Sequence, residues 1–178
     1  MVEVGILTKN DKVELIAGRI VEKMPGNPPH EAALHRLHEL LANVCKPEWS
    51  VRVESLIKLS DSAPEPDLMV IRGPIDRYDF ELPRSQDACI VVEVSDTTLR
   101  DDRQEKLSVY AAARIPIYWI VNLIDRRLER YSEPTGPEQL PTYKTRQDFA
   151  ESESISLQIP DRPATTLRVS EMLPRPKP

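Results

Sequence analysis

The segment Ala88-Cys89-Ile90-Val91-Val92-Glu93-Val94-Ser95 places an acid inside a run that is otherwise apolar up to its last residue. It lacks the alternation of a half-exposed strand, so it predicts a β-strand covered on both faces. A carboxylate there is costly to bury unless a cation or hydrogen-bond donors meet it. The chain must therefore build layers on both sides of a sheet and bring a counter-charge to Glu93.

Two other segments offer that chemistry. Upstream, Glu65-Pro66-Asp67-Leu68-Met69-Val70-Ile71 places an aspartate at the head of a second apolar strand, expected over 66–72. Downstream, Asp101-Asp102-Arg103-Gln104-Glu105-Lys106 supplies a lysine on a helix expected from Thr98 to about Arg114. Thr98, with Asp101 three residues on, reads as the N-cap of a capping box. Ile115-Pro116 then turns the chain out of the helix. The flanking apolar runs 87–95 and 117–123 make a strand–helix–strand unit with a parallel crossover.

The remaining elements follow from periodicity. Residues 13–23 read as a β-hairpin turning at Ala17-Gly18, and Met24 to Pro29 as a stiff connector. Apolar residues at three- and four-residue spacing from Ala33 to Val44 predict a helix over 30–45, closed by Pro47. Strands are expected over 51–59, 128–131, 141–146 and 154–157, with an irregular loop over 73–86. The expected fold class is α/β (α+β): a mixed central sheet with one helix on each side, and one domain over 1–158. Residues 159–178, rich in proline, are expected as an extended tail.

With 178 residues the chain is long enough for a single sizeable core. No apolar run approaches the roughly 20 residues of a membrane helix. Met1 to Asp11 show no basic start followed by an apolar stretch, so no secretory signal is expected. Cys45 and Cys89 form no metal-type pair, and a cytoplasmic protein with reduced thiols is expected. A net charge of −5 argues against a constitutive electrostatic binder of nucleic acid. It leaves room for a nuclease, because a bound divalent ion reverses the local field of its carboxylates.

Phosphodiester cleavage at neutral pH needs a metal to neutralise the oxyanion and a means of activating water. Magnesium takes hard oxygens, usually one or two carboxylates with retained waters. Asp67 and Glu93 meet that demand if their strands are neighbours, with Asp67, Met69 and Ile71 on one face and Cys89, Val91, Glu93 and Ser95 on the matching one. The Val94 carbonyl is a candidate third oxygen, and Lys106 a cation for water or phosphate. Each residue also has a plainer explanation: an Asx turn for Asp67, an ion pair with a buried arginine for Glu93, and an exposed helix pair with Asp102 for Lys106.

This arrangement resembles the PD-(D/E)xK nuclease superfamily and, more closely, the Uma family of restriction-endonuclease-like proteins. The resemblance runs from the hairpin Glu14-Leu15-Ile16-Ala17-Gly18-Arg19-Ile20-Val21 and the Met-Pro connector, through Pro66-Asp67-Leu68. It is strongest at Val92-Glu93-Val94-Ser95-Asp96-Thr97-Thr98, Asp102-Arg103-Gln104-Glu105-Lys106, Tyr110-Ala111 and Ile115-Pro116-Ile117-Tyr118-Trp119-Ile120-Val121. It implies a Mg²⁺-dependent DNA endonuclease, with Mn²⁺ able to substitute. Asp67, Glu93 and Lys106 would be catalytic, and Asp67, Glu93 and Val94 would hold the metal. DNA is the implied substrate and a homodimer the expected assembly, with no organic cofactor and no membrane partner.

Ser95 stands where the superfamily pattern has its lysine, and Lys106 on the following helix takes that place. Asp102, four residues earlier, is expected to share its helix face. Arg114 occupies a position where a glycine would close the helix. His30 starts the first helix where the resemblance also has a histidine, and Glu14 approaches from the hairpin. The alternative function is a non-catalytic DNA-binding or dimerising module that keeps the nuclease fold.

Overall fold

The computed structural model describes residues 12–45 and 48–176. The readings placed on Met1 to Asp11 and on Pro47 fall outside the described residues. The N-terminal hairpin pairs β1 (Val13–Ile16) with β2 (Arg19–Glu22), turning at Ala17 and Gly18, both at positive φ. Helix α1 (Pro28–Cys45) begins two residues earlier than expected. Pro28 tolerates the first helical position because the amide it lacks would be unpaired there. Asn27 caps the helix, its Oδ1 accepting from the His30 amide at 3.1 Å.

A six-stranded mixed sheet comes next, in the order β3 (Trp49–Val53), β4 (Leu68–Arg72), β5 (Ala88–Ser95), β6 (Ile117–Asn122), β7 (Arg127–Pro134), β8 (Tyr143–Ala150). β5 and β6 are parallel, joined by helices α2 (Leu99–Asp101) and α3 (Leu107–Ala112) with a π turn, Asp102–Lys106, between them. The other neighbouring pairs in this sheet are antiparallel. β3 stops at Val53 rather than continuing to residue 59, because Glu54 turns to positive φ.

All eight residues of β5 are buried, as its unbroken apolar run requires. Leu68, Val70, Ile90, Val92 and Val94 face α1, whereas Met69, Ile71, Val91 and Ile120 face α3. Cys89 departs from the expected alternation and packs on the α1 side with Ile90. The cause is a register shift between Val70 and Ile71, which inserts an extra residue on β5.

Arg114 does the work anticipated for a glycine. It takes φ +60, its amide donates to the Ala111 carbonyl at 3.0 Å, and the Ile115 amide donates to the Tyr110 carbonyl at 3.1 Å. That pair of bonds is a Schellman closure. Thr98, in contrast, makes no backbone cap; its hydroxyl goes to Asp102 instead.

The segment after residue 158 differs from the expected tail. β9 (Ser154–Leu157) pairs with β10 (Thr165–Arg168), and α4 (Val169–Met172) packs beside α1. Ile159, Leu167, Val169, Met172 and Leu173 are buried in the α1-side core. Five such side chains contribute about 1.5–3 kcal/mol each, a sum comparable to the ~5–15 kcal/mol stability of a whole domain. A chain ended after Gln158 is therefore expected to lose its cooperative thermal transition. Calorimetry showing a wild-type transition in that truncation would overturn this account of the core.

Candidate active site

The antiparallel register of β4 and β5 pairs Leu68 with Val92, so the next step along each strand sets Asp67 opposite Glu93. Asp67 lies just before β4, and the Val94 amide donates to its Oδ2 at 2.7 Å. His30 Nε2, from the first turn of α1, lies 3.1 Å from the same oxygen. Asn27 also donates to Asp96 Oδ2 at 2.6 Å, which ties the helix start to the loop after β5.

Glu93 is 2% exposed. Its Oε1 accepts from the Tyr110 hydroxyl at 2.7 Å and faces the Lys106 ammonium at 3.0 Å. Lys106 and Tyr110 are four residues apart, so the crossover helix presents both to the strand. Glu14 from β1 comes within 3.4 Å of the same ammonium, while its other oxygen accepts the Glu65 amide at 3.0 Å. Asp67, Glu93 and Lys106 are thus brought together, and His30 and Glu14 join them. The buried counter-ion of Glu93 is Lys106 rather than an arginine.

The expected Asp102–Lys106 pair is not what holds the lysine. Asp102 is buried and its Oδ2 accepts from Ser95 and Thr98, each at 2.7 Å. Ser95 and Thr98 thereby anchor the start of the crossover helix to the end of β5. Arg103, a basic residue of the same helix, is committed to Glu129 of β7 at 3.0 and 2.5 Å.

These groups border a cavity of about 120 Å³ beneath the hairpin. Eight carboxylate side chains and two lysines line it. Glu105, one of the lining carboxylates, pairs with Arg19 of β2.

The model of the family described as "Putative restriction endonuclease" (Uma2) matches residues 4–163. The chain belongs to this family. A solved structure described as a "putative nuclease belonging to DUF820", from Anabaena variabilis ATCC 29413, aligns with a TM-score of 0.63 at 15% identity. The alignment covers 96% of this chain and 94% of that one, and the likeness is one of fold. A search of curated proteins finds no match.

The donor set decides whether a metal fits this family member. Among the described residues, no three His, Cys, Asp or Glu side chains form a ready cage. Magnesium does not need one, since one or two carboxylates and retained waters suffice. Asp67 Oδ1 and Glu93 Oε2 accept no hydrogen bond from the described residues, and both side chains border the cavity. Two hard oxygens left without a hydrogen bond from the described residues, on side chains that border one cavity, are the donor type magnesium takes.

The two carboxylates titrate in opposite directions. Burial pushes Asp67 up, but the His30 hydrogen bond and charge, the Val94 amide and Lys106 outweigh it and hold the group below its ordinary value. Burial also pushes Glu93 up; Lys106 opposes this, while Asp67, Asp102 and Glu14 add to it, leaving Glu93 well above its ordinary value. Burial pulls Lys106 down, yet Glu93, Glu14, Asp102 and Asp67 together raise it, so it stays an ammonium.

Sequence reasoning leaves Tyr110 among plain core aromatics. Its spacing of four from Lys106 is the available signal. The network around Glu129 has no such signal, because its members, Arg103, Asn122, Tyr131 and Arg146, come from the crossover helix and three strands.

His30 is raised, chiefly by its hydrogen bond to Asp67, with burial opposing and the Asp67 charge assisting. A raised folded value adds stability that is full below the unfolded value of about 6.5 and is lost as pH rises through the folded one. His30→Ala is therefore expected to cost more stability near pH 6 than near pH 9 in urea unfolding. Equal losses at both would show that the charged pair contributes nothing.

Proposed function

We propose that this protein is a divalent-metal-dependent DNA endonuclease of the PD-(D/E)xK type. The observation that carries the reading is Asp67 facing Glu93 across β4 and β5, with the Lys106 ammonium 3.0 Å from Glu93 Oε1. Family membership and the fold shared with a protein described as a nuclease support it.

Asp67 and Glu93 would hold Mg²⁺, or Mn²⁺ in its place, with the Val94 carbonyl as a third oxygen. The ion would neutralise a phosphate oxygen and lower the pKa of bound water. Lys106, kept protonated by its acidic neighbours, is no general base. It donates hydrogen bonds and stabilises the charge that grows on the phosphate. Tyr110 and Val94 fix the carboxylate orientations through one hydrogen bond each. His30 fixes Asp67 from the helix side.

A metal also answers the electrostatic problem of the cavity. Its carboxylates repel a polyanion, and bound divalent charge inverts that local field. DNA binding is accordingly expected to strengthen with Mg²⁺. The second reading, a non-catalytic DNA-binding or dimerising module, is favoured by the acidic lining and by Asp67 and Glu93 being only 5% and 2% exposed.

Plasmid nicking with Mg²⁺ or Mn²⁺ separates the two. Wild type is expected to nick, Asp67→Ala to lose both metal binding and cleavage, and Lys106→Ala to keep metal affinity while losing about 10²–10³-fold in rate. Lys106→Arg is expected to rescue poorly, since a planar guanidinium does not replace a compact ammonium between two carboxylates. Metal-independent DNA binding with no cleavage would favour the second reading. Cutting both DNA strands calls for two sites, and the proposal includes a twofold homodimer. Light scattering that gives the mass of one chain would remove that part.

A further inference from the structure

The helix that delivers Lys106 is interrupted just where the lysine is presented. The Leu107 amide donates to the Asp102 carbonyl, five residues back, so this turn holds one residue more than an α-turn. One extra residue rotates the downstream part of the helix by about 100° relative to an unbroken α-helix. In an unbroken helix Asp102 and Lys106 would share a face and pair. Here Asp102 is directed to Ser95 and Thr98, while Lys106 reaches Glu93 and Glu14.

The sheet holds this turn from below. The Tyr118 hydroxyl, from β6, donates to the Asp102 carbonyl at 3.1 Å. Arg103, the second residue of the turn, forks onto Glu129 of β7. Glu129 is fully buried and is fixed in turn by Asn122 at 2.9 Å and the Tyr131 hydroxyl at 2.9 Å. Neither Tyr118 nor Arg103 borders the cavity.

We propose that the π turn is the positioning element of Lys106, and that Tyr118 and Arg103 are positioning residues acting through it. The consequence for cleavage rests on the nuclease reading above; the placement of Lys106 does not. An unbroken α-helix anchored at Asp102 would leave Lys106 beside Asp102 and Glu93 without its ammonium. The extra residue lets one short helix satisfy two anchors with incompatible α-helical phase: Asp102 on the end of β5, and Lys106 with Tyr110 on Glu93.

The test uses the full chain and two conservative variants. Tyr118→Phe removes one hydroxyl and leaves the Asp102 carbonyl with the Leu107 amide, so the fold is retained. Arg103→Lys removes the fork but keeps the charge. Tyr143→Phe is the control, since its buried hydroxyl donates to the Ile115 carbonyl at 2.9 Å rather than to the turn, and the substitution keeps the ring that stacks on Tyr118. The Lys106 ¹H–¹³Cε NMR signal, assigned by its loss in Lys106→Ala, reports the position of the side chain without any metal or DNA. It is expected to move toward that of a free lysine in Tyr118→Phe and Arg103→Lys and to stay in place in Tyr143→Phe.

In nicking, the two variants are expected to lose about tenfold or more in kcat with KM unchanged. Neither should lose more in a Lys106→Ala background. A Lys106 signal unmoved in both variants, or moved equally by Tyr143→Phe, would overturn the proposal. If wild type does not nick DNA, the nuclease reading falls and the NMR comparison still decides the positioning role.

Discussion

Glu93 is the constraint on which the site's architecture depends. It sits in the middle layer, on a strand with no exposed residue, where an uncompensated carboxylate would cost more than most single interactions return. Its compensation comes from one helix, through the Tyr110 hydroxyl and the Lys106 ammonium. Lys106 in turn must be shielded, and Glu14 of the hairpin supplies a second carboxylate to it. The hairpin, the crossover helix and the central strand are thus tied to one another through a single buried charge. Breaking one partner leaves the others unpaired in a low-dielectric setting, so these contacts stand or fall together.

Much of this was legible in the sequence because it depended on local pattern. The apolar run around Glu93 specified a doubly covered strand, Ala17-Gly18 the hairpin turn, and Ile115-Pro116 the end of the crossover helix. Each acid's place in its own apolar run was also legible, while the pairing that sets Asp67 against Glu93 was an expectation that the sheet order meets. What escaped was set by tertiary contacts. The bulge that moves Cys89 to the α1 side arises between two strands. The π turn arises because Asp102 and Lys106 have separate anchors, and an i,i+4 spacing alone argues for a direct pair. Residues 159–176 resemble a tail because proline density argues for extension, whereas the apolar residues between the prolines meet the α1 face.

The register also lines up Glu93, Ile120, Glu129 and Asp148 in one row across β5 to β8, with Asp67, just before β4, at its end. Within this row, Glu93 and Glu129 make an informative pair. Both are buried carboxylates, and burial pushes both upward. For Glu129 the hydrogen bonds from Arg103, Asn122 and Tyr131, with the Arg146 charge, outweigh burial and leave it below its ordinary value. For Glu93 the surrounding acids add to burial, the Lys106 charge is the largest opposing influence, and the group stays high.

That contrast separates a carboxylate satisfied by its protein neighbours from one that they satisfy only in part. Glu129 has its donors supplied by the protein, so nothing further is needed to keep it ionised. Glu93 has two donors, Tyr110 and Lys106, both on Oε1, and its side chain borders the cavity where the proposed ion would add positive charge. Here the same sheet holds both cases with one strand, β6, between them, and they move in opposite directions. The fold therefore provides its own internal comparison: at Glu129 the sheet satisfies a buried acid completely, and at Glu93 it leaves one side open.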